Sequence, residues 1–447
     1  MSETTATGSR PASGSFFGQP PALGFLAFTE AWERFSYYGM TSLLVLYMSQ
    51  ALFLPGHAGH VAGLAAYRAF FGNPSPLALA STTYGLYTGF VYFTPVLGGW
   101  IADRFIGRKR AVMAGAILMS AGHFAMAFDA SFLLALVLLI VGCGLLKGNI
   151  STQVGQLYAE DDAEGRARGF SIFSVAINAG AVTGPLVCAG LAAAFGWHTG
   201  FAAAGVLMLF ALVTYGIGYR HLSESARGTA APASAAPLTK ADWRVVAALF
   251  AAMALTVFHS IAFYQNGNIG LVWERRYADL SIFGFTLPVS WLVTINSFTS
   301  IVAVPPLLWL WRTRGEPDEI AKIGIGAAIG AAANLTLALG ALAFARVPLI
   351  VPVGYEVLLG ISFLWQWPTL LALVSRAAPR QLKATLMGAA FLSLFVANIT
   401  LGRVGTLYEH LTPASFWTLN AAIASVGALL CFLLRKRLMR LFDEAAR

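Results

Sequence analysis

Charged residues are scarce in this 447-residue chain, at 11% of the sequence, whereas 57% of its residues are apolar. This composition, with a mean hydropathy of +0.70, lies far outside the range of soluble domains. A membrane-spanning helix needs about 20 mostly apolar residues, and apolar stretches follow one another along almost the whole chain. The sequence therefore predicts an all-helical integral membrane protein with about a dozen spans.

Cysteine is rare as well. Cys143, Cys188 and Cys431 lie far apart in apolar stretches, which argues against both a disulfide framework and a metal site. His57 and His60 have no carboxylate or cysteine nearby, so they predict no metal site either. The sequence has no Walker, HExxH or nucleophile-elbow pattern, so it indicates neither ATP-driven transport nor an enzyme, and we expect no cofactor.

Two hydrophilic stretches of low complexity suggest how the chain is divided. Residues 1–20 are rich in Ser, Thr, Gly, Ala and Pro and lack an apolar signal segment, as is typical of a disordered tail. The stretch 223–241 separates two halves of six spans each. We expect a disordered cytoplasmic tail (1–20), an N-terminal six-helix bundle (21–222), a cytoplasmic linker (223–241), a C-terminal six-helix bundle (242–436) and a cytoplasmic tail (437–447).

The expected spans and the basic residues together predict the topology. Basic residues cluster on one side of the spans, for example at 104–110, 166–168 and 435–437, so the positive-inside rule places both termini in the cytoplasm. The net charge of +9 then follows from topology, and no nucleic-acid partner is expected. We expect a multi-pass protein of the plasma membrane, specifically a bacterial inner membrane. The twelve spans are predicted at residues 22–50, 80–102, 110–128, 131–156, 168–192, 196–219, 243–268, 287–311, 319–344, 348–375, 384–408 and 413–434.

The first span carries an ionisable cluster. Glu30, Glu33, Arg34, Tyr37 and Tyr38 follow the spacing i, i+3, i+4, i+7, i+8, which places them on one face of a helix. An ionisable residue at the centre of a span costs at least about 2.5–3.5 kcal/mol. This face therefore cannot meet lipid, and it is a candidate functional site.

Charge balance suggests a partner for this cluster in the fourth span. Two carboxylates and one guanidinium lack one positive charge, which Lys147 can supply. A buried, balanced cluster can take up or release a proton as its partners move, so Glu30, Glu33 and Lys147 are candidate proton-coupling residues. The alternative is a static salt-bridge network that locks two helices together, although buried ion pairs are poor sources of stability.

The loop after the second span reads Gly99-Trp-Ile-Ala-Asp-Arg-Phe-Ile-Gly-Arg-Lys-Arg110. Asp103 can cap a helix or pair with an arginine, and the basic run suits the anionic membrane surface. We interpret Asp103, Arg104 and Arg108 as a gating loop. The alternative, a basic loop that obeys the positive-inside rule, explains the charges but not the spacing of glycine and aspartate.

Several motifs of the N-terminal half recur in a recognisable order. They are Glu30-x-x-Glu33-Arg34-Phe35-Ser36-Tyr37-Tyr38-Gly39, Tyr84-Gly85-x-Tyr87-Thr88-Gly89, Lys147-Gly148-Asn149-Ile150-Ser151 and Ile177-Asn178-Ala179-Gly180. These motifs resemble those of one family, the proton-dependent oligopeptide transporters of the major facilitator superfamily. The resemblance implies a major-facilitator fold of 12 transmembrane helices in two six-helix bundles, with a substrate cavity between the halves.

The resemblance also implies roles for the residues of these motifs. Arg34 and Lys147 would receive the carboxylate end of a peptide, while Glu30 and Glu33 would be the proton-linked partners. The pocket would be lined by Tyr37, Tyr38, Tyr87 and Asn178. Packing in the core or at the membrane interface is the alternative for the tyrosines.

The C-terminal half departs from the family pattern where the family has charged groups. Gln265 occupies the position of a glutamate in the seventh span, Phe363 that of the tenth-span glutamate and Ala390 that of a tryptophan. Since phenylalanine cannot form a charge-assisted bond with an ammonium, this half is neutral. Gln265, Asn266, Asn296 and Phe363 remain as candidate binding residues, although any of these amides could instead join helices.

These observations leave three functions open. The first is proton-coupled symport of di- or tripeptides or peptide-like molecules, and the second is transport of a carboxylate or other anion without a free amino group. The third is a non-transporting membrane sensor. We expect a monomer whose partners are a small-molecule substrate, protons and the lipid bilayer. The roles of His259, Glu356 and Arg403 stay undecided, with Glu356 predicted near the outer membrane surface or as a substitute for the missing glutamate.

Overall fold

The computed structural model describes residues 15–159, 161–222 and 238–446. Most of the predicted N-terminal tail and most of the predicted linker lie outside these ranges. The helices are α1 (Pro21–Tyr47), α2 (Leu64–Phe70), α3 (Pro76–Ile101), α4 (Arg108–Ala125), α5 (Phe132–Gly155), α6 (Ala163–Phe195), α7 (Trp197–Gly218), α8 (Lys240–Phe263), α9 (Ile269–Tyr277), α10 (Leu292–Val302), α11 (Val304–Arg314), α12 (Glu319–Ala343), α13 (Ile350–Ala377), α14 (Lys383–Thr406) and α15 (Pro413–Ala446). Strands β1 (Ser281–Ile282) and β2 (Phe285–Thr286) pair as an antiparallel hairpin.

The predicted all-helical membrane fold is confirmed. Within the described ranges, eight helices are long and apolar enough to cross a membrane, and the pair α10–α11, bent by 41°, brings the number to nine. Helices α1, α3 and α4 occupy three further predicted spans. Of these, α1 contains the ionisable cluster and α4 begins with three basic residues. Helix α15 continues to Ala446, through most of the residues assigned to a C-terminal tail.

Two spans of the C-terminal half are broken. Helix α8 ends in the 3-10 turn Tyr264–Gly267, and α9 continues the chain from Ile269. Helices α10 and α11 break at Ala303, next to Pro305 and Pro306, because proline has no N–H to donate within a helix. The first break places the polar run Gln265–Asn268 deep inside the protein, where these residues are buried.

The N-terminal and C-terminal halves approach each other closely where α3 meets α14. A Cβ atom on Gly85 would lie 2.5 Å from the carbonyl oxygen of Asn398 and 2.8 Å from Cα of Gly402. Only glycine allows this approach, as is common where membrane helices pack tightly. A larger residue at Gly85 would force the two halves apart at this point.

Further hydrogen bonds join the halves on one side of the membrane. We call the side on which α1 begins and α15 ends the terminal side, and the opposite side the far side. Within the described part of the chain, the hydrogen bonds between the halves lie at the far side or near the middle of the helices. They include Ser290 Oγ to the Ser42 carbonyl (2.6 Å), Trp291 Nε1 to the Leu186 carbonyl (2.9 Å) and Asn268 Nδ2 to Ser81 Oγ (2.8 Å). The far side is therefore closed.

Candidate substrate site

A cavity of about 180 Å³ lies between the two halves. Its wall combines aromatic rings with side-chain amides, which is typical of small-molecule sites. The hydroxyl groups of Tyr92 and Tyr264, one from each half, lie 3.3 Å apart at this wall. The aromatic residues of the wall are Tyr37, Tyr38, Tyr84, Tyr92, Phe263, Tyr264 and Phe363, and the amides are Asn178, Asn266, Asn296 and Asn398.

The ionisable cluster of α1 is buried beside this cavity. Arg34 Nε lies 3.2 Å from Glu30 Oε1 and also donates a hydrogen bond to Glu33 Oε2. Glu30 and Arg34 are each 3% exposed, and Glu33 is 0% exposed. Gly180 of α6 lets this face of α1 pack closely, since a Cβ there would lie 2.8 Å from Cβ of Arg34.

The cluster keeps unused hydrogen-bonding capacity. Among the described residues, Arg34 Nη2, Glu30 Oε2 and Glu33 Oε1 are buried without a partner. A buried polar atom without a partner is costly, and a guanidinium has five N–H donors with which it can bind a carboxylate. Arg34 therefore retains a donor for a further anionic group.

Lys147 of α5 and Arg34 of α1 both lie near the ring of Tyr37. Its Nζ is 5.9 Å from the Tyr37 ring centroid and 4.6 Å from that of Tyr92, while Arg34 Cζ is 5.3 Å from the Tyr37 centroid. Both cations can interact with these aromatic faces. Of the ion pairs in the described chain, none joins Lys147 to a carboxylate, so the expected pairing with Glu30 or Glu33 is not made in this conformation.

The other predicted pocket residues of the N-terminal half occupy different positions. Tyr37, Tyr38 and Asn178 line the cavity. Tyr87 lies behind this wall, with its ring centroid 6.5 Å from that of Tyr37. Asn178 is exposed, and its Nδ2 donates to the Ser174 carbonyl oxygen at 3.0 Å.

In the C-terminal half, three of the four predicted residues line the cavity. Asn266 and Asn296 contribute amides, and Phe363 packs with its ring centroid 5.9 Å from that of Phe263. Gln265 is buried away from the wall, where it donates to the Leu401 carbonyl oxygen and accepts from Asn268, both at 3.1 Å. The structure thus places Gln265 in the contact between α14 and the broken span.

The remaining candidate residues lie outside the cavity. Asp103 forms an ion pair with Arg108, whose Nη2 lies 2.9 Å from Asp103 Oδ1, and Arg104 is exposed. Histidine 259 is buried, with Nε2 2.5 Å from Ser362 Oγ. Arg403 lies with its Cζ 5.7 Å from the Phe71 ring centroid.

Two buried glutamates differ from what the sequence suggested. Glu356 is 0% exposed, so its predicted place near the outer membrane surface is wrong, whereas its role as a substitute for the missing glutamate stays a prediction. Glu274, which we did not select, is also 0% exposed. Its position before Arg275 and Arg276 resembles an external loop, but α9 continues the broken span and buries it. The only sequence signal for Glu356 is its place inside a long apolar run.

Comparison with known proteins assigns the family. A model of the POT family matches residues 109–236 and 224–418. A di-/tripeptide transporter of Lactococcus lactis subsp. cremoris is 27% identical over 503 residues, which cover 96% of this chain and 98% of the relative. A peptide transporter of Yersinia enterocolitica subsp. palearctica is 26% identical over 519 residues, with 95% and 96% coverage.

Solved structures show the same fold. A crystal structure of a peptide transporter POT in complex with sulfate superposes with a TM-score of 0.84 at 24% identity and covers 96% of both chains. A POT family transporter in complex with 5-aminolevulinic acid gives a TM-score of 0.83 at 22% identity, covering 95% of this chain and 98% of that one. Because the family model extends over more than half of the sequence, this chain belongs to the POT family of membrane transporters.

Proposed function

We propose that this protein is a proton-coupled symporter that imports di- or tripeptides or peptide-like molecules by alternating access. The proposal rests mainly on Arg34. This buried cation pairs with two carboxylates beside the cavity and still has an unused hydrogen-bond donor. The names of the relatives, di-/tripeptide and peptide transporters, support the substrate class. We further propose that the protein is a monomer in a bacterial inner membrane and that its terminal side is cytoplasmic. With the far side closed, this conformation is then the inward-open state.

Arg34 links substrate to proton in this proposal. A substrate carboxylate that binds Arg34 competes with Glu30 and Glu33 for the same guanidinium. A buried carboxylate that loses its cation is strongly disfavoured in the ionised form. Substrate binding therefore favours proton uptake by the displaced glutamate, and proton release restores the pair once the substrate leaves.

The opposite wall of the cavity leaves the amino end of the substrate less defined. Phe363 lies against Phe263 and offers no charge, while Asn266 and Asn296 offer amide oxygens that can accept from an ammonium. This observation favours a second candidate function, transport of a carboxylate-bearing solute without a free amino group. In both cases Arg34 and Lys147 bind the carboxylate.

A thermal-shift panel on the purified protein separates these candidates. A ligand present at 100 times its Kd stabilises a protein by about 2.7 kcal/mol. We expect a dipeptide to raise the melting temperature and its C-terminal amide to have a much smaller effect. The matched N-acetyl dipeptide should be weaker than the free dipeptide if the amino end is recognised. Equal shifts for the free and acetylated forms would indicate the anion transporter, and no shift with any peptide would contradict peptide recognition.

A further inference from the structure

The C-terminal half contains a second group of buried acids, well away from the α1 cluster. Glu274 of α9 and Glu356 of α13 are both 0% exposed. All four of their carboxylate oxygens are buried, and in the described structure neither oxygen of Glu274 has a hydrogen-bond partner. Their chain neighbours Trp273 and Tyr355 both pack against Trp417, with ring centroids 6.0 Å and 5.9 Å from it, which brings α9 and α13 together at the two acids. The Tyr355 hydroxyl is also buried, and it has no hydrogen-bond partner among the described residues.

No cation balances this pair among the residues that the structure describes. The neighbouring arginines turn away from it, because Arg275 Cζ lies 5.6 Å from the Trp197 ring centroid and Arg276 Cζ 5.4 Å from that of Tyr277. Several ionisable groups of the surrounding helices have partners elsewhere: His259 with Ser362, Arg403 with Phe71, Lys322 with Glu316, Glu319 with Arg376 and Tyr47 with Asp129. The hydroxyl of Tyr408, in the same apolar cluster as Trp273 and Tyr355, is buried without a hydrogen-bond partner among the described residues and carries no positive charge.

Elementary electrostatics limits the charge that such a pair can carry. Moving one ionised carboxylate out of water without a partner is already very costly. A second negative charge nearby adds repulsion that the low dielectric of the interior strengthens. The pair is therefore stable only if a positive ion joins it. Among the described residues, no group of three or more His, Cys, Asp or Glu side chains could hold a metal ion, so the simplest positive ion is a proton.

The pair also has a connection to the substrate cavity. The side-chain amides of Asn266 and Asn296 lie next to the Glu356 carboxyl group. Both asparagines are more than nine-tenths buried, and both line the cavity. Helix α9, which carries Glu274, packs against α1 at the closed far side. The acids thus lie between the far side and the cavity.

We propose that Glu274 and Glu356 form a second proton site, which holds at least one proton while the far side is closed and exchanges it with the cavity past Asn266 and Asn296. This site is separate from Glu30, Glu33 and Arg34. The second-site proposal rests on the proposed function only for the direction in which the proton moves during transport. Proton binding itself requires neither substrate nor gradient.

The test is the pH dependence of the melting temperature in detergent. An unfolded chain releases the protons of ordinary glutamates above about pH 5. A folded protein that retains them binds more protons than the unfolded chain, so its stability falls as the pH rises. We expect the melting temperature of the wild type to fall between about pH 5 and about pH 9. The melting temperature of the double variant Glu274→Gln/Glu356→Gln should fall less over this range, because glutamine resembles the protonated acid. The gap should widen with pH, and single variants should be intermediate.

The matched control is Glu164→Gln, whose side chain is 89% exposed and which should follow the wild-type curve. Parallel curves for the wild type and the double variant would overturn the proposal. If the double variant does not fold, infrared spectra decide instead. The carbonyl band of protonated carboxyl groups should be present in the wild type at neutral pH and weaker in Glu356→Gln, and equal bands would overturn the proposal. Since neither measurement uses transport, failure here is distinct from failure of the symporter proposal.

Discussion

Glu33→Gln is expected to abolish the accumulation of substrate driven by an imposed proton gradient, while exchange of substrate across the membrane continues. Glu33 is fully buried and accepts from Arg34 Nε. Glutamine keeps the shape and can still accept a hydrogen bond, but it cannot take up or release a proton. Alternating access can then proceed, whereas a proton gradient no longer drives it.

The measurement compares two assays on the same proteoliposomes. Gradient-driven accumulation should fall to the level of liposomes without protein, and counterflow of labelled substrate should remain clearly above that level. Glu164→Gln, an exposed carboxylate paired with Arg168, is the control and should retain both activities. Unchanged accumulation in Glu33→Gln would remove Glu33 from the coupling step, and loss of both activities would indicate a structural role.

Arg34→Ala is expected to weaken binding of substrates with a free carboxylate by about 10-fold to 100-fold, because a hydrogen bond to a charged group contributes about 1.5–3 kcal/mol. The corresponding C-terminal amides should lose much less. The alanine variant also leaves Glu30 and Glu33 without their cation, and breaking a buried ion pair costs about 3–5 kcal/mol. This second effect destabilises the protein irrespective of the substrate.

A paired variant separates the two effects. Arg34→Ala/Glu33→Gln removes one positive and one negative charge, so that its melting temperature should lie above that of Arg34→Ala alone. Its preference for carboxylates over amides should still be lost. Arg168→Ala, which removes an exposed arginine, should behave as the wild type. If the affinities of Arg34→Ala for carboxylates and for amides fall equally, Arg34 has only a structural role.

Most of the fold follows from two simple patterns in the sequence. Apolar runs of sufficient length locate the spans, since lipid tolerates few other arrangements of the backbone. Helical spacing correctly places Glu30, Glu33 and Arg34 on one buried face of α1. The helix breaks after Phe263 and at Ala303 did not follow from hydropathy, because both broken spans are apolar on average. The break at Ala303 has a sequence signal in Pro305 and Pro306, whereas the break after Phe263 has no proline beside it.

The candidate site was harder to predict in its C-terminal half. Asn266 and Asn296 line the cavity as expected, but Gln265, next to Asn266 in the chain, turns away from it in the 3-10 turn. Sequence position alone cannot give this orientation. Glu274 was missed because burial there is a tertiary effect: α9 lies beside α1 and the far-side contacts, although its sequence contains two arginines.

Lys147 shows a further limit of charge counting. The balance of charges correctly indicates that a second cation is close to the α1 cluster, but it cannot say which contacts that cation makes. In this conformation Lys147 lies over the rings of Tyr37 and Tyr92 instead of pairing with a carboxylate. We expect direct contact with a substrate carboxylate or with a glutamate to occur as Arg34 changes partners.

Proton-driven accumulation by the purified wild-type protein tests the central proposal most directly. Proteoliposomes with an acidic exterior should concentrate a labelled dipeptide above its external concentration, and a protonophore should abolish the accumulation. A panel of tripeptides and small carboxylates in the same assay would define the substrate. If no member of the panel accumulates, or if uptake is the same with and without the gradient, the protein is not a proton-coupled symporter of these substrates.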